Sequence, residues 1–415
     1  MSAPFRSNNS RRRVVITGMG LVSPLGNTLD SYWQRLCAGE SSIQIQVRNS
    51  KQWPSHQSWL AAAVSSNLPD DLPGKISPHL LDDFARYAVL AAEQALQQAG
   101  KDVILERRQQ VGVILGTAVG GDESRNEATY RAYIKQRPPS PQTIIRAMAN
   151  GAVSAVSLAY GLQGIHYAVS SACASGTHAI GQAYQSIRNG CAELILAGGS
   201  EQLPSYSLYR SWQQMGVLSP DGCRPFCASR NGIILGEGAG VLVLESLASA
   251  RARNATIHGE IVGFAHNASA KDWIQPDADT MAHCIRTAIQ AAKWKQEEVI
   301  YINAHGTGTK LNDMAETAAI HQVFGSHAST VKVSSSKAHH GHTLGAAGAL
   351  ECIATVLALQ HRTAPPNTIT HVPDPDCKLN LITGAATPLD GDYALSHSFA
   401  FGGLNGVLAL QRFQE

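Results

Sequence analysis

The sequence has little charge of either sign and almost no excess of one sign over the other. Only 15% of its 415 residues are Asp, Glu, Lys or Arg, and 33 Lys+Arg against 31 Asp+Glu leave a formal net charge of +2. Proteins that read phosphate backbones carry a concentrated basic excess. The one dense basic run here, Arg11-Arg12-Arg13, adjoins a polar stretch that reads as a frayed leader over residues 1–12, so nucleic acid is not an expected partner. Cysteine is sparse too. Its 8 copies stand singly along the chain, which excludes a disulfide-stapled scaffold and points to a reducing compartment, the cytoplasm. The one close pair, Cys223 and Cys227 in GCRPFC, lacks a second Cys or His pair at zinc-site distance, so no metal is expected. Long apolar runs are missing as well. The longest, residues 344–359, is too short to span a bilayer and contains Glu351, and no signal-type apolar segment opens the chain.

What is present is 44% hydrophobic residues, 37 glycines, and short buried strands alternating with helices. Residues 14–17 read as a strand stopped by a tight turn at Gly18. A helix over 83–100 follows, with Phe84, Tyr87, Ala88, Ala91, Ala95 and Leu96 at helical spacing and Gly100 as its stop. Then come a strand at 111–117, a helix at 143–160, a strand at 165–169, a helix at 175–189 and a strand at 194–197. The second part gives strands at 238–245 and 257–264, a helix at 280–294, a strand at 299–304 and a long helix at 343–359. This alternation implies an α/β fold with a mostly parallel sheet covered on both faces. Residue-level repetition is not visible, but each half uses the same order of strand, glycine-rich turn and helix. With no Pro-, Gly- or Ser-rich linker, the division falls nominally between 13–253 and 254–415, inside one packed core.

Several motifs can carry chemistry. Gly18-Met19-Gly20-Leu21-Val22-Ser23 resembles the start of a dinucleotide fingerprint but has Ser23 at the sixth position, with Pro24 next; a structural turn is the simpler reading. Ser170-Ser171-Ala172-Cys173-Ala174-Ser175-Gly176 sets a thiol at a strand-to-helix turn, where the helix dipole lowers its pKa and its own N–H can face an oxyanion. Cys173 is therefore a nucleophile or a buried small apolar residue. Asn303-Ala304-His305-Gly306-Thr307-Gly308-Thr309 puts a histidine where a strand ends in a glycine loop. Gly341-His342-Thr343 puts another at a helix start, where a neutral imidazole is favoured. His339 and His340 read as lining the approach, and His166 and His178 as ordinary strand and helix residues. Glu351, embedded among apolar residues, needs a partner, and Lys337 is the candidate. Ser398 to Gly406 is either a mobile glycine loop exposing N–H groups or a hairpin with two buried rings.

Taken together, VVITGMGLVSPLG, SSACASGTHAIG, GEGAG, NAHGTGTKLNDMAE, SSKAHHGHTLGAAG and SFAFGGLNG resemble the elongating β-ketoacyl-[acyl-carrier-protein] synthases, in family order along essentially the whole chain. The resemblance implies a thiolase-like fold with duplicated halves in a five-layer α/β/α/β/α core. It also implies a homodimer, or a heterodimer with a homologous subunit, and decarboxylative Claisen condensation. Cys173 would take the acyl chain from an acyl carrier protein. The amides of Cys173 and Phe401 would form the oxyanion hole, and His305 and His342 would hold the malonyl carbonyl. Lys337 and Glu351 would be the supporting pair. Thr307 and Thr309 would meet the pantetheine arm, and Phe401, followed by Gly402, would gate the acyl pocket. No dissociable cofactor is implied, since the carrier protein brings the phosphopantetheine. A thiolase's second cysteine is missing from AFGGLNG, and Cys173 argues against the alternative of a non-catalytic chain-length partner subunit.

Departures from the family pattern accompany the match. The loop commonly read RPFD-x-x-RDGF is here Arg224-Pro225-Phe226-Cys227-Ala228-Ser229-Arg230-Asn231-Gly232-Ile233, without two carboxylates and one aromatic; Ile233 then borders the extender pocket. Ala400 replaces the usual Gly, Leu404 the usual Thr, and Asp122 an apolar residue. These changes favour a specialised polyketide, polyene or unusual fatty-acid pathway over housekeeping elongation.

Overall fold

The computed structural model describes residues 11–47, 58–65, 67–69, 71–74, 76–367 and 372–415. The expected leader lies outside them up to residue 10. Of its basic run, Arg12 pairs with Glu193 and Arg13 with Glu260 at 2.6 Å, so neither guanidinium is left free for a phosphate.

Strand β1 (Val14–Val22) does not stop at Gly18. It passes through both glycines because helix α1 (Asp83–Ala99) lies directly on it. A methyl at Gly18 would overlap the Ala95 carbonyl oxygen, and one at Gly20 that of Ala91. A register shift between Ile16 and Gly18 leaves strand amides unpaired, and helix side chains take them: Gln98 Oε1 accepts from Met19 N–H at 2.7 Å and Gln94 Oε1 from Leu21 N–H at 3.3 Å. The glycines serve close packing rather than a phosphate turn, which removes the dinucleotide reading.

The first half adds β2 (Val111–Gly116), β3 (His166–Val169), β4 (Leu194–Glu201) and β5 (Gly238–Ser246). The second adds β6 (Gly259–Ala268), β7 (Tyr301–Asn303), β8 (Lys332–Ser334), β9 (Asn380–Leu381), β10 (Tyr393–Ala400) and β11 (Leu404–Gln411). Their hydrogen-bonded order is β9-β8-β7-β10-β11-β6-β1-β5-β4-β2-β3. Numbered within its own half, each sheet therefore reads 3-2-4-5-1, with β9 appended to one edge. Each has three parallel strands followed by two antiparallel ones, so the sheets are more mixed than expected. The two sheets join only where Val14–Ile16 pairs with Gly259–Ile261. The duplication that the residues conceal is thus plain in the topology.

Helices α2 (Ser175–Arg188) and α6 (Ala347–Gln360) pack between the sheets. Every residue of α6 from Ala347 to Leu359 is buried, which explains its apolar sequence on all sides. Helix α1 and a helix over Gly151–Tyr160 cover the outer face of the first sheet; α3 (Ala278–Ala292) and α4 (Lys310–Phe324) cover the second. This is the five-layer α/β/α/β/α core. The single helix expected over 143–160 is two, Thr143–Ala147 and Gly151–Tyr160, and the helix expected from 343 begins as a 3₁₀ turn at Leu344–Ala346. Among the described residues no helix is long and apolar enough to cross a membrane.

The turn from each half's third strand to its central helix carries a site residue. Cys173 lies between β3 and α2. His342 lies between β8 and α6, just after a short helix α5 (Lys337–His340).

Candidate active site

The chain leaving β3 reaches α2 by putting Ala172 at φ +50°, a left-handed conformation that a small residue tolerates best. Ser175 Oγ clamps this turn, accepting from Ser171 N–H at 2.9 Å and donating to the Ala172 carbonyl at 2.6 Å. Cys173 is thereby held at the wall of a cavity of about 440 Å³, 6% exposed. His305, His342, Thr307, Thr309, Ile233 and Phe401 line the same cavity. Burial pushes the thiol up to about 11, opposed by the Lys337 ammonium and by the nearby backbone N–H groups of Phe401 and Cys173. The lowered pKa expected from the helix dipole is not what the site produces. A helix terminus offers about half a charge, which desolvation of a buried anion outweighs.

Both histidines are buried to 2% exposure, and both are held well below the usual imidazole range, first by burial and then by the Lys337 charge. They are neutral, and their tautomers follow from their partners. Lys337 Nζ lies 3.3 Å from His305 Nδ1; an ammonium only donates, so Nδ1 accepts and Nε2 carries the proton. Leu344 N–H donates to His342 Nδ1 at 3.2 Å, which puts that proton on Nε2 as well, an atom buried without a protein partner among the described residues. The rings stand 5.4 Å apart at 84°. The cavity therefore presents two neutral N–H donors beside a thiol.

Lys337 and Glu351 are fully buried and form an ion pair. Neither lines the cavity: the pair lies behind His305, with Glu351 pushed up by burial and drawn back by Lys337. Glu351, the expected partner of Lys337, is not on the cavity wall and so does not bind substrate directly; its side chain reaches the site through Lys337. Two carboxylates of the NDMAE segment, one and two turns into α4, were not singled out from the sequence. Glu316 accepts from His305 N–H at 2.9 Å and Gly306 N–H at 2.8 Å. Asp313 accepts from Thr307 N–H at 3.1 Å and Phe226 N–H at 2.8 Å. Their spacing of three on one helix face, directly after the histidine loop, was the available signal. Glu201 at the end of β4 was also missed; it accepts from Ala118 N–H at 2.5 Å, Thr117 Oγ1 at 3.0 Å and Gly345 N–H at 3.1 Å, tying the loop after β2 to the start of α6.

Thr307 and Thr309 face each other, their hydroxyls 2.9 Å apart. The C-terminal segment is a hairpin, β10 and β11 joined by the turn Phe401–Gly403. Phe399 and Phe401 both line the cavity; Phe399 is buried, and Phe401 stacks on Trp212 at 5.8 Å. Gly402, at φ +81°, is not on the wall; its N–H donates to the Trp273 carbonyl at 2.7 Å and anchors the turn. His339 and His340 do not line the approach. They are buried behind the site, His339 between the carbonyls of Glu40 and Pro366.

The departures are accommodated locally. Cys227 is buried, and Arg230 pairs instead with Asp374, 144 residues away in sequence. Asn231 accepts from Ser219 Oγ at 2.6 Å and Arg224 at 2.9 Å, as a carboxylate would, and donates to Asp221 at 2.9 Å, which a carboxylate could not. Ile233 and Ala400 lie on the cavity wall, while Leu404 packs beside it. Asp122 accepts from Ser205 N–H at 2.8 Å.

Comparison with known proteins agrees with this geometry. Residues 11–250 match the model for the N-terminal domain of beta-ketoacyl synthase, and residues 258–371 match that for its C-terminal domain. Nodulation protein E of Rhizobium sp. (strain N33) is 40% identical over 97% of this chain and 99% of its own length. The 3-oxoacyl-[acyl-carrier-protein] synthase 2 of Coxiella burnetii is 37% identical over the same shares. Among solved structures, the ishigamide ketosynthase/chain length factor superposes with a TM-score of 0.91 at 34% identity, covering 97% of this chain and 100% of that one. A type II polyketide ketosynthase solved in complex with its acyl carrier protein gives 0.86 at 29% identity, over the same shares. The chain belongs to the β-ketoacyl synthase family.

Proposed function

We propose that the protein is an acyltransferase that elongates carrier-bound acyl chains by two carbons, in fatty-acid or specialised type II polyketide or polyene synthesis. The Cys173 thiol attacks an acyl carrier protein's thioester carbonyl, loses its proton, and expels the phosphopantetheine thiolate. The N–H groups of Cys173 and Phe401 stabilise the tetrahedral oxyanion, each such donor being worth about 10²–10³ in rate. A malonyl thioester then enters, and its carbonyl oxygen accepts from His305 and His342 Nε2–H. Loss of CO₂ leaves its electron pair as an enolate held by those two donors. The enolate carbon attacks the acyl-Cys173 carbonyl, and collapse expels the cysteine thiolate and releases the 3-oxoacyl product on its carrier.

The observation that carries this reading is the pair of neutral Nε2–H donors facing one buried thiol. Decarboxylation requires donors and no base to abstract an α-proton, and both imidazoles are fixed by Lys337 and Leu344 as donors. The threonine pair Thr307 and Thr309 suits the pantetheine amides, and Ile233 borders the extender unit. The reaction needs no dissociable cofactor or metal, and a reduced Cys173 suits the cytoplasm. Tyr133, Ile134, Ile144 and Leu158, all between β2 and β3 in sequence, are exposed apolar side chains, which fits a homodimer or a pairing with a homologous subunit. The matched segments support a functional division at 13–253 and 254–415, the thiol in one half and both donors in the other.

Intact-mass measurement tests the reading. Cys173 should gain the acyl mass from an acyl carrier protein, and Cys173→Ala should abolish both labelling and condensation. His342→Ala should keep self-acylation but lose malonyl decarboxylation. An unmodified Cys173 in a protein that nonetheless supports elongation by a paired synthase would establish the non-catalytic subunit instead.

A further inference from the structure

A third histidine stands behind His305 with no part in the reaction above. His397 lies on β10 with its ring fully buried, and its Nδ1 is 3.1 Å from Glu316 Oε1. Glu316 is itself fully buried, and its two oxygens hold the amides of His305 and Gly306, the turn that aims the His305 ring into the cavity. The opposite ring nitrogen, Nε2, has no protein partner among the described residues. Ring contacts complete the column: His397 lies tilted 5.3 Å from Phe399, and Phe399 lies edge-on 6.2 Å from His305.

A carboxylate oxygen only accepts, so His397 must place a proton on Nδ1. That is the opposite tautomer to His305 and His342. The groups facing this carboxylate are unequal. Asp313 on the same helix and Glu351 on α6 are like charges, Asn312 on α4 offers a contact at 3.5 Å, and Lys337 is already committed to Glu351 and His305. Among the described residues His397 thus supplies the one side-chain N–H within 3.1 Å that keeps the Glu316 carboxylate turned toward the two amides.

We infer that His397 is a positioning residue for the decarboxylation half of the reaction, holding Glu316 so that Glu316 fixes the His305 turn. The inference rests on the condensing role proposed above. Cys173 lies on the other half of the molecule and does not depend on that turn, so the two half-reactions separate the effects.

The experiment compares His397→Asn, whose amide still donates to Glu316, with His397→Leu, which fills the space without a donor. Self-acylation of Cys173 and release of CO₂ from malonyl carrier protein are measured for each. His397→Leu should acylate at the wild-type rate but lose about tenfold or more in decarboxylation kcat, since ångström-scale misplacement of a reacting group costs up to about a hundredfold. His397→Asn should recover most of that loss. Equal decarboxylation in both variants and wild type overturns the inference, and so does an equal fall in both half-reactions. A readout without substrate keeps this apart from the proposed activity. In nitrogen NMR of histidine-labelled wild-type protein, the signals lost in His397→Asn should belong to an Nδ1–H ring, and those lost in His305→Asn to an Nε2–H ring. An Nε2–H tautomer at His397 with Nδ1 bare overturns the assignment whether or not the protein condenses anything.

Discussion

Replacing Lys337 with Met removes three functions at once, and the structure separates them. The ammonium is completely buried, paired with Glu351, and 3.3 Å from His305 Nδ1. Methionine fills nearly the same volume without charge, so packing is preserved and the electrostatics are isolated. Losing one member of a buried pair leaves the other uncompensated, at a cost of about 3–5 kcal/mol. Glu351, already pushed up by burial, then takes a proton, which limits the loss at low pH. His305 loses the partner that fixed its tautomer and the second of the causes that keep it neutral, so its pKa rises and its Nε2–H is no longer enforced. Cys173 loses the chief charge opposing desolvation, and its acylation should move to higher pH. Urea denaturation combined with the two half-reactions reads these separately. Lys337→Met should lower stability by that amount and reduce decarboxylation more than acylation. The double variant Lys337→Met/Glu351→Leu should regain most of the stability and none of the decarboxylation. Recovery of decarboxylation in the double variant, or wild-type stability in the single one, would refute the reasoning.

Burial raises Glu201 to about 7 from an ordinary 4.5, so the folded protein holds its proton more tightly than the unfolded chain. Its contribution is fully present below the unfolded value and is lost as pH rises through the folded one. Glu201→Gln should therefore gain on the wild type by about 3 kcal/mol between about pH 4.5 and pH 7, whatever its constant offset, when unfolding is followed across that range. A pH-independent difference would show that Glu201 is ionised throughout. Gly20→Ala should cost about 1–3 kcal/mol, because its methyl overlaps the Ala91 carbonyl oxygen and must push α1 off the strand. An unchanged denaturation midpoint would return Gly20 to the role of an ordinary turn residue.

The helix over Asp83–Ala99 was legible because amphipathic spacing and a terminal Gly100 at φ +88° are local features. The strand boundaries around Gly18 and Gly198 were not. Glycine signals a turn locally, but at these positions a methyl would overlap carbonyl oxygens of α1 and of β5, so the requirement comes from a neighbour distant in sequence. The pairing of Lys337 with Glu351 was readable because a carboxylate inside AGALECIATV has few ways to be satisfied. Glu316, Glu201 and His397 were hidden for the converse reason: the partners of the two carboxylates are backbone amides, and that of His397 is Glu316 itself, all brought near by folding and leaving no mark in composition or spacing.

The sequence alone determined which groups are available: one thiol before a helix, two histidines in glycine loops, a buried lysine and glutamate, and alternating strands and helices. Those follow from side-chain chemistry and short-range periodicity. Only the tertiary structure decided that the halves share one strand order, that both central turns open on one cavity, and how each group is protonated. Tautomer and pKa depend on what lies within a few ångströms in space. Cys173 shows the difference: its helix terminus argues for a lowered pKa, but two sheets and two central helices exclude the water that would solvate its anion, and burial prevails.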